Sequence, residues 1–184
     1  MNPRATYLIG PPGSGKSTVM VDLVERLGLA FGRQEHLCRE TTIQWLGDDA
    51  WMWGKQREAF SGTDALGMAA SRYLREWIEA GGEMPTHVLG EGVRLANVRF
   101  LLTLDAVRPV SVAYLWAPEE VLQQRCIDRN GDLKATYKTG AATRAAKLAE
   151  DLEALGIPVL RINTRWTSSE STADLIADRF GLDG

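Results

Sequence analysis

An α/β fold, built on a five-stranded parallel sheet with helices on both faces, is what this chain predicts, and three observations predict it. Short apolar runs rich in β-branched residues alternate with amphipathic runs of helical period, the pattern of parallel strands joined by crossover helices. The first apolar run ends in Gly10-Pro11-Pro12-Gly13-Ser14-Gly15-Lys16-Ser17, which meets the phosphate-binding pattern G-x-x-x-x-G-K-[ST] at every fixed position. The third observation is size: 184 residues, 45% hydrophobic and 24% charged, suffice for one well-buried domain and are short for two.

Ala5-Thr6-Tyr7-Leu8-Ile9 is the first strand, so the glycine-rich motif lies where a buried strand turns into a helix. Its glycines let consecutive N–H groups converge on a phosphate at the positive end of that helix. Lys16 is expected to reach the β- and γ-phosphates of ATP or another NTP, and the Ser17 hydroxyl to join the shell of a Mg²⁺ ion. Val19, Met20, Leu23, Val24 and Leu27 then mark the inner face of the helix, and Gly28 is placed to end it. Residues 33–40 are polar and resist assignment, whereas Thr42-Ile43-Gln44-Trp45-Leu46-Gly47 reads as a second strand.

Residues 48–62 form the longest connection without a period, and a loop of that length in a compact domain is usually functional. It mixes Asp48 and Asp49 with Trp51, Trp53, Phe60, Lys55 and Arg57, which suits gripping a flat or anionic substrate by stacking and charge. Aromatics folded back onto the core are the alternative. Thr63 is placed to cap an amphipathic helix with Leu66, Ala70, Tyr73, Leu74, Trp77 and Ile78 inward, which Gly81-Gly82 stops.

Thr86-His87-Val88-Leu89-Gly90-Glu91 is a third strand, ending in a carboxylate suited to order Mg²⁺ beside Ser17. A helix begins near Arg94, residues 110–116 make a fourth strand, and Pro118, Glu119 and Glu120 open the helix that carries Arg125 and Arg129 on one face. A basic flap with two glycines follows, then a helix with Arg144 and Lys147. Cations on both sides of such a segment suggest a lid over 130–147 that closes on the transferring phosphoryl group, with a solvated charged hairpin as the alternative. Gly156 ends that helix, residues 158–163 are the fifth strand, and Ser169 or a neighbour caps a last helix.

The formal net charge of -3 and a pI near 5.5 exclude a global basic field, so any nucleic-acid contact must use a local patch. Cys38 and Cys126 read as reduced thiols of a cytoplasmic protein, and no stretch reads as a membrane span or secretory leader.

On these residues the chain resembles the small P-loop kinases, a group that includes nucleoside monophosphate kinases, gluconate and chloramphenicol kinases, and the 5′-kinase part of polynucleotide kinase. Phe60-Ser61-Gly62-Thr63-Asp64-Ala65-Leu66 and Glu91-Gly92-Val93-Arg94-Leu95-Ala96-Asn97 look like stretches of phage-encoded P-loop kinases, including those that phosphorylate hydroxymethyluracil in DNA. The resemblance implies one P-loop kinase domain over 1–184, with residues 48–82 on the substrate side and a helical lid. It makes Gly10 to Thr18 and Arg125 the nucleotide-binding residues, Ser17 and Glu91 the Mg²⁺ ligands, and Lys16, Arg125, Arg129 and Arg144 the groups that neutralise developing charge. It also leaves Asp48, Arg57, Phe60, Asp64 and Arg94 on the acceptor side. Asp64 is then either the general base of a hydroxyl acceptor or a helix cap, with Asp48 and Asp49 in reserve. The implied function is transfer of the γ-phosphoryl group to a hydroxyl on a nucleotide or nucleic acid. A nucleoside monophosphate kinase and an NTP-hydrolysing switch are the alternatives.

Overall fold

The computed structural model describes residues 3–56, 62–130 and 135–182. In chain order its elements are β1 (Arg4–Ile9), α1 (Lys16–Arg26), β2 (Phe31–Cys38), β3 (Thr41–Leu46), β4 (Ala50–Trp53), α2 (Ala70–Glu79), β5 (His87–Glu91), α3 (Val98–Asp105), β6 (Val110–Trp116), α4 (Glu119–Asn130), α5 (Ala135–Ala154), β7 (Val159–Asn163) and α6 (Ser169–Phe180). The strands form one sheet in the order β2-β3-β4-β5-β1-β6-β7. From β4 to β7 every pairing is parallel, while β2 and β3 add on as an antiparallel edge. The expected kind of fold is present, with seven strands among the described residues rather than five.

The two additional strands were hidden for opposite reasons. Ala50-Trp51-Met52-Trp53 is buried at all four positions, so it lacks the alternation that marks a half-exposed strand, and sequence reading places it in a loop. Residues 31–38 are the opposite case, an edge strand mostly exposed, whose polar composition hides its pairing with β3. The 42–47 strand exists as β3 but runs antiparallel to its neighbours.

β1 is central, and its alternation divides the core. Tyr7 and Ile9 face a cluster completed by Trp51, Trp53, Leu74, Phe100 and Leu152 under α2, α3 and α5. Leu8 faces the other cluster, which holds Met20 and Leu23 of α1 with Ile176 and Ala177 of α6. Trp51 packs against Trp45, Trp53 and Trp77 with centroids 5.4, 5.5 and 6.3 Å away, and Trp53 meets Phe100 edge-on. These indoles therefore hold α2 and α3 on the sheet and do not grip a substrate.

Helix ends differ from expectation where tertiary bonds intervene. Thr63–Ala65 is one 3-10 turn, Leu66 is extended, and α2 starts only at Ala70. Thr63 and Asp64 thus cap no α-helix. Residues 135–140, read as part of a flap, are the first turns of the twenty-residue α5. At α6 the cap falls as expected on a neighbour of Ser169: the Ser168 hydroxyl accepts from Ser171 N at 3.0 Å. Among the described residues no helix is long and apolar enough to cross a membrane.

Candidate active site

The loop after β1 is shaped by how closely it is pressed. A Cβ on Gly10 would stand 2.2 Å from the Leu115 carbonyl oxygen, and one on Gly13 would stand 2.6 Å from that of Leu122. Only glycine lets the backbone pass so near β6 and α4. Gly15, with φ 89°, then caps α1 from the left-handed region. Inside the turn, Lys16 Nζ donates to the carbonyls of Gly10 at 2.9 Å and Pro11 at 3.1 Å. The Ser14 hydroxyl is fully buried there and lacks a hydrogen-bond partner. A buried hydroxyl without a partner, next to an ammonium group and a helix N-terminus, is the donor set that a nucleotide phosphate satisfies.

The carboxyl ends of β1 and β5 lie side by side, with Leu8 opposite Glu91. This register brings Ser17 Oγ within 3.1 Å of Glu91 Oε1, across 74 residues of sequence. Glu91 is 1% exposed. Ser17 and Glu91 are thus joined as the sequence anticipates, and their oxygens suit Mg²⁺, which is held by few protein groups plus phosphates and water.

Asp64 is drawn to the same place. Asp64 Oδ1 accepts from Val93 N at 2.7 Å, and a Cβ on Gly92 would meet both Asp64 Oδ1 and Thr63 Oγ1 at 2.8 Å. Gly62 is equally tight, since a Cβ there would lie 2.6 Å from Glu91 Oε1. The turn at 62–65 is therefore laid against the end of β5, so that Asp64 flanks Glu91.

Beneath them, Tyr7 OH donates to Gly92 O at 3.1 Å and lies 2.9 Å from Thr63 Oγ1. Burial, reinforced by the charges of Glu91 and Asp64, pushes the Tyr7 phenol well above its usual range, so it keeps its proton. With that proton on Gly92, the Thr63 hydroxyl is the donor to Tyr7. Sequence reasoning assigned Tyr7 to a strand and Thr63 to a cap, and no local signal reveals the bond between them.

The other expected residues are dispersed. Arg125 reaches under the phosphate loop, donating to Gly13 O at 3.3 Å, Thr164 Oγ1 at 3.0 Å and Thr164 O at 2.7 Å. It ties the loop to the segment after β7. Thr18 is exposed in the first turn of α1, and Arg144 is exposed on α5. Arg94 follows Glu91 by three residues, half-buried, with Nη1 2.6 Å from the Met68 sulfur. Arg57, Phe60 and the side chain of Arg129 lie outside the described residues, as does the 131–134 part of the segment expected to be a lid.

Asp48 and Asp49 require correction as substrate-side groups. They sit in the β3–β4 hairpin, at the end of the sheet where the parallel strands begin, and the phosphate loop is at the other end. Asp49 Oδ1 accepts from Thr86 N at 2.9 Å, and hydrogen bonds from the Thr86 side chain and then its N–H hold the Asp49 carboxyl below the usual range. The misplacement follows from reading β4 as a loop: once that strand intervenes, its first residues are carried away from the site.

Residues 1–153, which include the phosphate loop, Glu91 and Arg125, match the family model described as P-loop Nucleotide Kinase3. The chain belongs to that family. It is a P-loop kinase, an enzyme that binds a nucleotide and transfers a phosphoryl group. Among solved structures, the kinase is similar to a sugar kinase from Janibacter sp. HTCC2649 at 17% identity and a TM-score of 0.56, covering 97% of this chain and 95% of that one. It is equally similar to the YorR protein from Bacillus subtilis in complex with phosphorylated GDP, at 17% identity and a TM-score of 0.56, with 97% and 96% covered. A gluconokinase from Sinorhizobium meliloti 1021 matches at 16% identity and a TM-score of 0.52, with 99% and 98% covered. At such identities the likeness is one of fold. No curated protein matches the chain.

Proposed function

We propose that this kinase moves the γ-phosphoryl group of ATP, or another NTP, to a hydroxyl on a nucleotide or nucleic acid, a hydroxymethyl-modified base in DNA being one such acceptor. The observation that carries the reading is the place of Asp64, a carboxylate laid against Glu91 across Gly92 and separate from the Ser17–Glu91 pair. A nucleotide phosphate is already ionised and needs no base, whereas a hydroxyl does. In this reading Asp64 takes the hydroxyl proton late, as the acceptor oxygen bonds to the γ-phosphorus and the bond to the β-phosphate oxygen breaks to leave NDP. Lys16 and the loop amides balance the charge on the phosphates, and Arg125 and Arg129 of α4, with Arg144 from the lid over 130–147, supply more as the helices close. Mg²⁺, held by Ser17 and Glu91, supplies charge neutralisation at the phosphate oxygens when bound.

Two measurements test this reading. Transfer of labelled γ-phosphate to pooled nucleosides, nucleotides and oligonucleotides, hydroxymethyl-modified DNA included, is expected to label a hydroxyl. Product that is only nucleoside diphosphate would move the assignment to nucleoside monophosphate kinase, and free phosphate alone would move it to an NTP-hydrolysing switch. For the metal, Glu91→Gln is expected to raise the Mg²⁺ concentration for half-maximal activity by about tenfold or more while affinity for metal-free nucleotide stays unchanged. Equal losses in both would make Glu91 a structural group.

A further inference from the structure

The phosphate loop and the Ser17–Glu91–Asp64 group leave unused a set of arginines on the β4 side of the same rim. Arg39, in the turn joining β2 and β3, has a φ of 29° and is the one non-glycine residue with positive φ among those described. Its guanidinium stands 4.8 Å from the Tyr73 ring centre, and that of Arg72 stands 4.7 Å from the same ring. One half-buried tyrosine therefore steadies two exposed guanidinium groups whose N–H donors still reach solvent.

Arg94 joins them through Met68, which precedes α2 by two residues. Its Nε is buried without a hydrogen-bond partner, and neither Arg39 nor Arg94 has a carboxylate partner among the described residues. The nearby acids are committed elsewhere: Asp64 to Val93 N and Glu40 to Ala69 N at 3.3 Å. Glu76 stands 3.8 Å from Arg72 Nε, an exposed pair of little strength. Beside Arg94, Met68 is 79% exposed and Val93 50%. Two guanidinium groups without a carboxylate partner and a third in a weak exposed pair, with exposed apolar side chains beside Arg94, offer phosphate contacts next to apolar surface.

We propose that Arg39, Arg72 and Arg94 form a track for the sugar-phosphate backbone of a single-stranded nucleic acid, which delivers its hydroxyl to Asp64. The inference rests on the hydroxyl-transfer reading and narrows its acceptor from nucleotide or nucleic acid to a strand. It also reconciles an acidic chain with a polyanionic substrate, because the attraction is confined to one rim.

The test is binding of a fluorescently labelled single-stranded DNA of about twenty nucleotides, followed by anisotropy across a salt series. Three phosphate contacts give a slope of log affinity on log salt near ~-2 for single strands. The variant Arg39→Gln/Arg72→Gln is expected to flatten that slope to about -0.7 and weaken binding about tenfold or more at low salt. Affinity for ATP and the circular dichroism spectrum should stay as in the parent, and Arg39→Lys/Arg72→Lys should restore most of the slope. Absence of strand binding by the parent, or a slope unmoved by the glutamine pair, overturns the track while hydroxyl transfer to mononucleotides stands. If the parent instead labels only nucleotide phosphates, the hydroxyl reading itself fails.

Discussion

Lys16→Ala lowers phosphoryl transfer by about 10²-fold or more while the protein remains folded. The side chain is half-exposed, and its described bonds run to the carbonyls of Gly10 and Pro11 rather than to the core. The first turn of α1 keeps its Gly15 cap, and alanine is a better helix former than lysine. What is lost is a cation poised over the turn in which the Ser14 hydroxyl lies without a partner. Single-turnover rates with saturating nucleotide, set beside a thermal melt, make the measurement. A variant that keeps more than about a tenth of the parent turnover overturns the assignment of this loop to the transferring phosphates.

Asp64→Asn is expected to cost turnover about 10²-fold or more with little change in melting temperature. The amide oxygen can still accept from Val93 N, so the clamp between the 62–65 turn and the end of β5 survives. The ability to take a proton does not. Asp64→Ala supplies the contrast, because it removes both and should also lose the order of 1 kcal/mol that such a hydrogen bond contributes. If the asparagine variant turns over normally and the alanine variant only melts earlier, Asp64 is a clamp. A phosphate acceptor then becomes the better reading, and the arginine rim is to be re-examined as its binding site.

The parts legible in the sequence were those whose signal is local. The phosphate loop declares itself in eight consecutive residues, because the glycines and the lysine are demanded by contacts within a single turn. Helices α1, α2 and α6 declare themselves by apolar spacing, and Glu91 by its position at the end of an apolar run. Strand β4 was illegible for the reverse reason. A strand buried on both faces has no period, and its tryptophans looked like ligands for a flat substrate until Trp45, Trp77 and Phe100 were seen against them. The same misreading put Asp48 near the acceptor, because an unread strand hides a reversal of chain direction.

What the sequence by itself determined is an α/β kinase fold and a glycine-rich turn between its first strand and first helix. Each of these is set by short-range geometry or by the periodicity of one element. The surroundings of Asp64 were decided only in three dimensions. Gly92 and Gly62 have to be glycines because two turns are pressed together, and that pressing moves Asp64 from the start of a helix to the side of Glu91. Tyr7 and Thr63, 56 residues apart, share a hydrogen bond beneath them. Arg39 and Arg72 share the Tyr73 ring, and Arg94 reaches the Met68 sulfur, for the same reason. Side chains from four separate segments converge only once the parallel strands are in register, and no window of sequence contains that register.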